Sequence, residues 1–173
     1  MLKTIEYVNR EKSHWGEGPW LNEPDKKQWL DKDTDLPCLI HRSSSGALCG
    51  YVGVDKTHPL FKHEYSGLDI DVHGGLTYSE FCQETEDPSF GICHLVSEGE
   101  EDERWWFGFD CGHGGDLMPG FKADMEKIQN NPEYPFPKRT WSAFDGEYRN
   151  IEYVTKEIQS LAKQLKAMEN NHA

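Results

Sequence analysis

Arg104-Trp-Trp-Phe-Gly-Phe-Asp-Cys-Gly-His-Gly-Gly-Asp-Leu-Met-Pro-Gly120 passes from an unbroken apolar run into a loop loosened by glycine. The first half has the aromatic bulk of a buried strand, and the second carries Asp110, Cys111, His113 and Asp116 on a permissive backbone. Leu68-Asp-Ile-Asp-Val-His-Gly-Gly-Leu-Thr-Tyr-Ser-Glu80 repeats the design: apolar and acidic residues alternate, then His73, Gly74 and Gly75 follow. Strands that end in glycines and titratable side chains build a polar pocket on a rigid frame. The two segments are therefore expected to meet at one site.

Working outward, residues 36–42 and 47–54 read as two strands joined by a Ser/Gly turn, and 68–73 as a strand with one apolar and one carboxylate face. Residues 91–96 and 104–110 flank the acidic run Glu98-Gly-Glu-Glu-Asp-Glu103 and are expected to pair as a hairpin. A short helix is expected over 121–129, ended by Pro132, Pro135 and Pro137. Ile151, Val154, Ile158, Leu161, Leu165 and Met168 recur at spacings of three and four, which predicts a helix over about 147–169 with one apolar stripe. That stripe is expected to pack on the sheet; a homodimer through the same seam is the alternative. The expected fold class is α+β: one domain over 36–173, a mainly antiparallel sheet of about five strands, and a long C-terminal helix. Residues 1–35, polar and interrupted by Trp15, Trp20 and Trp29, are expected to form an irregular N-terminal arm.

The formal net charge of −13 argues against a broad grip on nucleic acid or an anionic membrane, both of which need basic surface. It leaves room for a local basic pocket, or for an acidic face that mimics nucleic acid. No apolar run approaches the roughly 20 residues of a membrane span, and the start lacks the apolar core of a secretion signal. Five cysteines, an odd number without a Cys-x-x-Cys pair, fit reduced thiols and a cytoplasmic location.

Gly46-Ala-Leu-Cys-Gly-Tyr-Val-Gly-Val54 with His58-Pro-Leu-Phe61, Asp71-Val-His-Gly-Gly-Leu-Thr-Tyr78 and Trp105-Trp-Phe-Gly-Phe-Asp-Cys-Gly-His-Gly-Gly-Asp116 together resemble an uncharacterised family of small proteins encoded by phages, prophages and some bacteria. The segment 148–165 is similar to that family's terminal helix. The resemblance covers roughly residues 38–165. It implies an accessory gene of a mobile element, whose products often act on host defence, and hence the host cytoplasm.

The residues support three functional readings. The leading one is a binding pocket for a small polar ligand, nucleotide-derived signals included. Asp71, His73, Asp110, His113 and Asp116 would supply hydrogen bonds. Gly74 and Gly75 would allow close backbone approach, and Tyr78, Trp105 and Trp106 would supply stacking. The His41-Arg42-Ser-Ser-Ser-Gly46 turn would hold an anionic group. A metal-dependent hydrolase is the first alternative, with a divalent ion on Asp71, His73, Asp110, His113 and Asp116, since carboxylate and imidazole suit such ions. An acidic inhibitor that mimics nucleic acid through residues 98–103 is the second. Cys111, two residues from His113, reads as a buried structural thiol rather than a nucleophile.

Overall fold

The computed structural model describes residues 4–94, 103–139 and 145–170. Its strands are β1 (Ile5–Tyr7), β2 (Lys26–Leu30), β3 (Pro37–Arg42), β4 (Leu48–Val54), β5 (Tyr78–Phe81) and β6 (Trp105–Asp110), and its helices α1 (Pro119–Gln129) and α2 (Ile151–Asn170). The strands form one antiparallel sheet in the order β1-β2-β3-β4-β6-β5. The expected α+β architecture holds, with six strands instead of about five.

Alternation sorts the strands into two faces. Ile40, Leu48, Val52, Phe107 and Phe109 face α2, which lays Val154, Ile158, Leu161 and Leu165 on them. The stripe that a coiled coil would use is thus buried against the chain's own sheet. Gly50 lets the helix come this close: a Cβ there would lie 2.5 Å from the Phe109 ring and 2.7 Å from Ile158. On the opposite face Trp106 packs with Leu39 and Ile92, flanked by Tyr51 and Tyr78.

Several expectations are corrected. Residues 5–30 are not an irregular arm, because β1 and β2 are integral to the sheet. They also carry the counterions of a fully buried Arg42. Its Nε donates to Asp25 (2.8 Å), its NH2 to Glu23 (3.2 Å) and its NH1 to the Tyr148 hydroxyl (2.7 Å), while Lys12 adds a second cation on Asp25. Buried charge is tolerated when it is paired this completely.

Residues 68–73 alternate as read, with Leu68, Ile70 and Val72 packed on the core and Asp69 and Asp71 exposed. Yet they pair with no strand among the described residues. Helix side chains take the place of a ladder: Gln164 bonds both the amide and the carbonyl of Asp71 (2.8 Å each), and Glu157 accepts the His73 amide (2.7 Å). Alternation reports which side of a segment is buried and is silent on what satisfies its backbone.

Residues 91–94 are not a strand, and β6 pairs with β4 and β5 instead. Residues 95–102, which hold most of the acidic run and the expected hairpin turn, lie outside the described residues. Cys82 and Cys93 are joined as a disulfide, contrary to the expectation of reduced thiols, while Cys38, Cys49 and Cys111 are free and buried. Their spacing of 11 residues, with Pro88 between, gave no local signal for the pairing. No helix among the described residues is long and apolar enough to cross a membrane.

Candidate functional site

The loop that leaves β6 folds back on itself around Asp116. Glu147, just before α2, accepts the Leu117 amide (3.0 Å) and donates its own to the Gly115 carbonyl (2.9 Å), so the loop is stitched to the start of the long helix. Asp116 is 2% exposed. One of its oxygens accepts His73 Nε2 (2.7 Å) and the His113 amide (3.1 Å), and the other accepts Arg149 Nε (3.0 Å). Burial alone would raise this carboxyl's pKa, but the bonds from His73, Arg149 and the His113 amide outweigh it and hold the pKa below the usual range.

His73 is fixed at both ring nitrogens. A carboxylate can only accept, so Nε2 carries a proton, and Nδ1 is hydrogen-bonded to the Tyr153 hydroxyl (2.9 Å). Arg149 lies over the Tyr153 ring at 4.8 Å and also bonds Glu147 (2.8 Å). The result is a continuous chain, Tyr153–His73–Asp116–Arg149, that locks α2 to the two glycine-rich loops. Burial, followed by Glu157, raises the Tyr153 phenol and keeps its proton on.

His113 and Asp110 differ from this frame. Their side chains are 35% and 37% exposed, with His113 Nε2 lying 3.7 Å from Asp110 Oδ1. That oxygen accepts the Gly112 amide (2.9 Å), whereas Oδ2 takes no hydrogen bond among the described residues. His113 Nε2 is buried without a hydrogen-bond partner. Gly114 and Gly115 are exposed residues, and their amides likewise donate to nothing among the described residues. His113 packs over Gly74, where a Cβ would stand 2.1 Å from Nε2.

The two segments therefore meet as expected, bringing together His73, Gly74, Asp110, His113 and Asp116. The other candidates lie elsewhere. Asp71 is exposed and held to Gln164 of α2 by its backbone, and Gly75 ends a turn with its amide on Val72. Trp105 (6% exposed) and Trp106 (0%) fill opposite faces of the sheet, so neither offers a stacking surface. Tyr78 packs edge-on against Tyr51 and donates to the Phe81 carbonyl. Arg42 is wholly committed to its buried network and cannot serve an anion at the surface. Burial, then Arg10, depresses His41 to about 4.

Among the described residues no three His, Cys, Asp or Glu side chains are placed to hold a metal ion, and both nitrogens of His73 are already used. The proposed metal set is thus not assembled. Burial, with Asp116 next, pushes the Cys111 thiol well up, as befits an inert core cysteine.

Sequence reasoning missed Arg149, Tyr153, Glu147 and Glu157, which complete the frame. Tyr153 and Glu157 sit one helical turn apart, beside the apolar stripe and on the same side of α2, a spacing that marks two residues flanking a buried seam. Comparison with family models, curated proteins and solved structures found no match to this chain.

Proposed function

We propose that this protein binds a small polar ligand at the mouth formed by Asp110, His113 and the backbone of Gly114 and Gly115. The observation that carries the reading is a contrast within one loop. Asp116 is saturated and rigid, whereas Asp110 and His113 stand side by side with partly exposed side chains, and Asp110 Oδ2 takes no hydrogen bond among the described residues. A site of this kind holds its contact groups on a locked frame, so little ordering entropy opposes binding.

Its chemistry favours a ligand that offers a donor to Asp110 Oδ2 and acceptor oxygens to the two glycine amides, as hydroxyl- or amide-bearing metabolites do. Ring stacking is not part of the reading, because both tryptophans of β6 are buried. The biological setting we propose, a mobile-element accessory protein that captures a host signal, rests on the motif resemblance alone.

A thermal-shift screen against sugars, nucleosides and nucleotides tests the proposal. A ligand at 100 times its Kd stabilises the fold by about 2.7 kcal/mol. One compound class should raise the Tm of the native chain and leave Asp110→Asn and His113→Ala unmoved. Equal stabilisation of both variants would place binding elsewhere and overturn the proposal.

A further inference from the structure

The loop that starts with Asp110 ends, at Leu117 and Pro119, in the wall of a different cavity. A cleft of about 340 Å³ lies between α1 and the two single helical turns Ser13–Trp15 and Pro19–Leu21. That size falls at the small end of the range of about 300–1,000 Å³ found for small-molecule sites. Neither side of the cleft belongs to the ligand mouth described above.

Its walls are fixed. Trp20 is buried, donates its indole N–H to the Gly16 carbonyl (3.1 Å) and meets Tyr148 edge-on at 5.0 Å. Trp15 packs so closely on the first turn of α1 that a Cβ at Gly120 would touch its ring at 3.0 Å. Its indole N–H donates to His14 Nε2 (3.0 Å). Trp15 is only half-buried, in contrast to the tryptophans of β6.

The charge of the cleft is anionic. Glu17 is exposed and makes no ion pair or side-chain hydrogen bond among the described residues. Glu126 reaches Lys122 only at 4.0 Å, both side chains being substantially solvated. Two carboxylates thus face one ammonium, within a molecule of net charge −13 whose field draws cations inward. A cleft lined by a half-buried indole and two carboxylates suits a flat, weakly hydrated cation, for which the ring quadrupole and the carboxylates act in the same direction.

We infer that this cleft is a binding site for a planar organic cation, an amidinium or guanidinium group seated against Trp15 and between Glu17 and Glu126. The group belongs either to a free small molecule or to an arginine side chain of a partner protein.

Three ligands of one shape and different charge test the inference: benzamidine, benzamide and benzoate, titrated while the ¹H–¹⁵N indole resonance of Trp15 is followed. Benzamidine should shift that resonance saturably and bind about tenfold more tightly than benzamide, with benzoate not saturating. Glu17→Gln combined with Glu126→Gln should lower benzamidine affinity by about tenfold or more. An unshifted Trp20 indole in that variant would certify the fold. His113→Ala should leave the titration unchanged, which separates this site from the ligand mouth. N-acetylarginine amide distinguishes the sources. Tighter binding than benzamidine assigns the cleft to a partner's arginine, and weaker binding assigns it to a free cation. A Trp15 resonance that stays fixed, or one that benzamide or benzoate moves as readily as benzamidine, overturns the inference.

Discussion

At Gly74 the backbone has φ +67°, and the His113 ring occupies the place a side chain would take. Two independent costs therefore meet at one residue: a left-handed conformation and a steric overlap. Gly74→Ala is expected to lower stability by about 2–4 kcal/mol and to displace the His113 ring, seen as altered His113 NMR shifts beside an earlier urea midpoint. Unchanged shifts would mean that the contact is not a constraint. Asp116 gives a second prediction, in which pH sets the sign. Burial raises its carboxyl, but the bonds from His73, Arg149 and the His113 amide win, so its pKa is lower folded than unfolded. The stability it contributes is complete above the unfolded value of about 3.9 and is lost as pH falls through the folded one. Asp116→Asn should cost about 1–3 kcal/mol at neutral pH, and its deficit against the native chain should shrink in urea titrations below about pH 4. A deficit independent of pH would show that the carboxylate is not held ionised by its partners. His73, His113, Asp110 and Asp116 were legible in the sequence because glycines beside titratable residues mark places where backbone and polar groups crowd together. Their roles were not: His73 and Asp116 are frame and His113 and Asp110 are mouth, a division set by Arg149 and Tyr153 from a distant part of the chain.

Among the elements, α2 was the most legible, since six apolar residues at helical spacing leave one way to bury them. Its start depends on residues that periodicity cannot see. Asn150 Oδ1 accepts the Tyr153 amide (2.9 Å), and Glu23, from the turn before β2, accepts the Ile151 amide (3.0 Å). The other oxygen of Glu23 takes the Tyr148 hydroxyl (2.6 Å) and Arg42. One carboxylate thus caps the helix, offsets a buried guanidinium and favourably faces the positive end of the helix dipole. Glu23→Gln should destabilise the fold by about 1–3 kcal/mol, with the fastest rise in amide exchange at the first turn of α2. Uniform exchange along the helix would remove the capping role. Segment 68–73 teaches the converse lesson. Its alternation correctly gave the buried side, but Gln164 and Glu157 supply the hydrogen bonds that a neighbouring strand would have given.

For the molecule as a whole, the boundary near residue 35 expected from composition is not a structural one. Polar, proline-broken sequence hid β1 and β2, because a short edge strand and its neighbour need few apolar residues when facing side chains pair as ions, as Glu6 and Lys27 do across these two (3.0 Å). A chain of residues 36–173 would lose two strands together with Glu23 and Asp25, leaving Arg42 buried without a carboxylate. It is expected to show no cooperative unfolding transition by heat or urea, and a cooperative transition would restore the arm reading. The same network explains why the His41–Gly46 turn is no anion site: its cation is consumed within the fold.

We propose above that Asp110 and His113 form the mouth of a small-molecule site. Native mass spectrometry of the chain purified without added metal or chelator, beside His113→Ala, addresses it most directly. An organic mass should be retained by the native chain and lost from a folded variant. The same mass retained by both, or a bare chain in both, would contradict it.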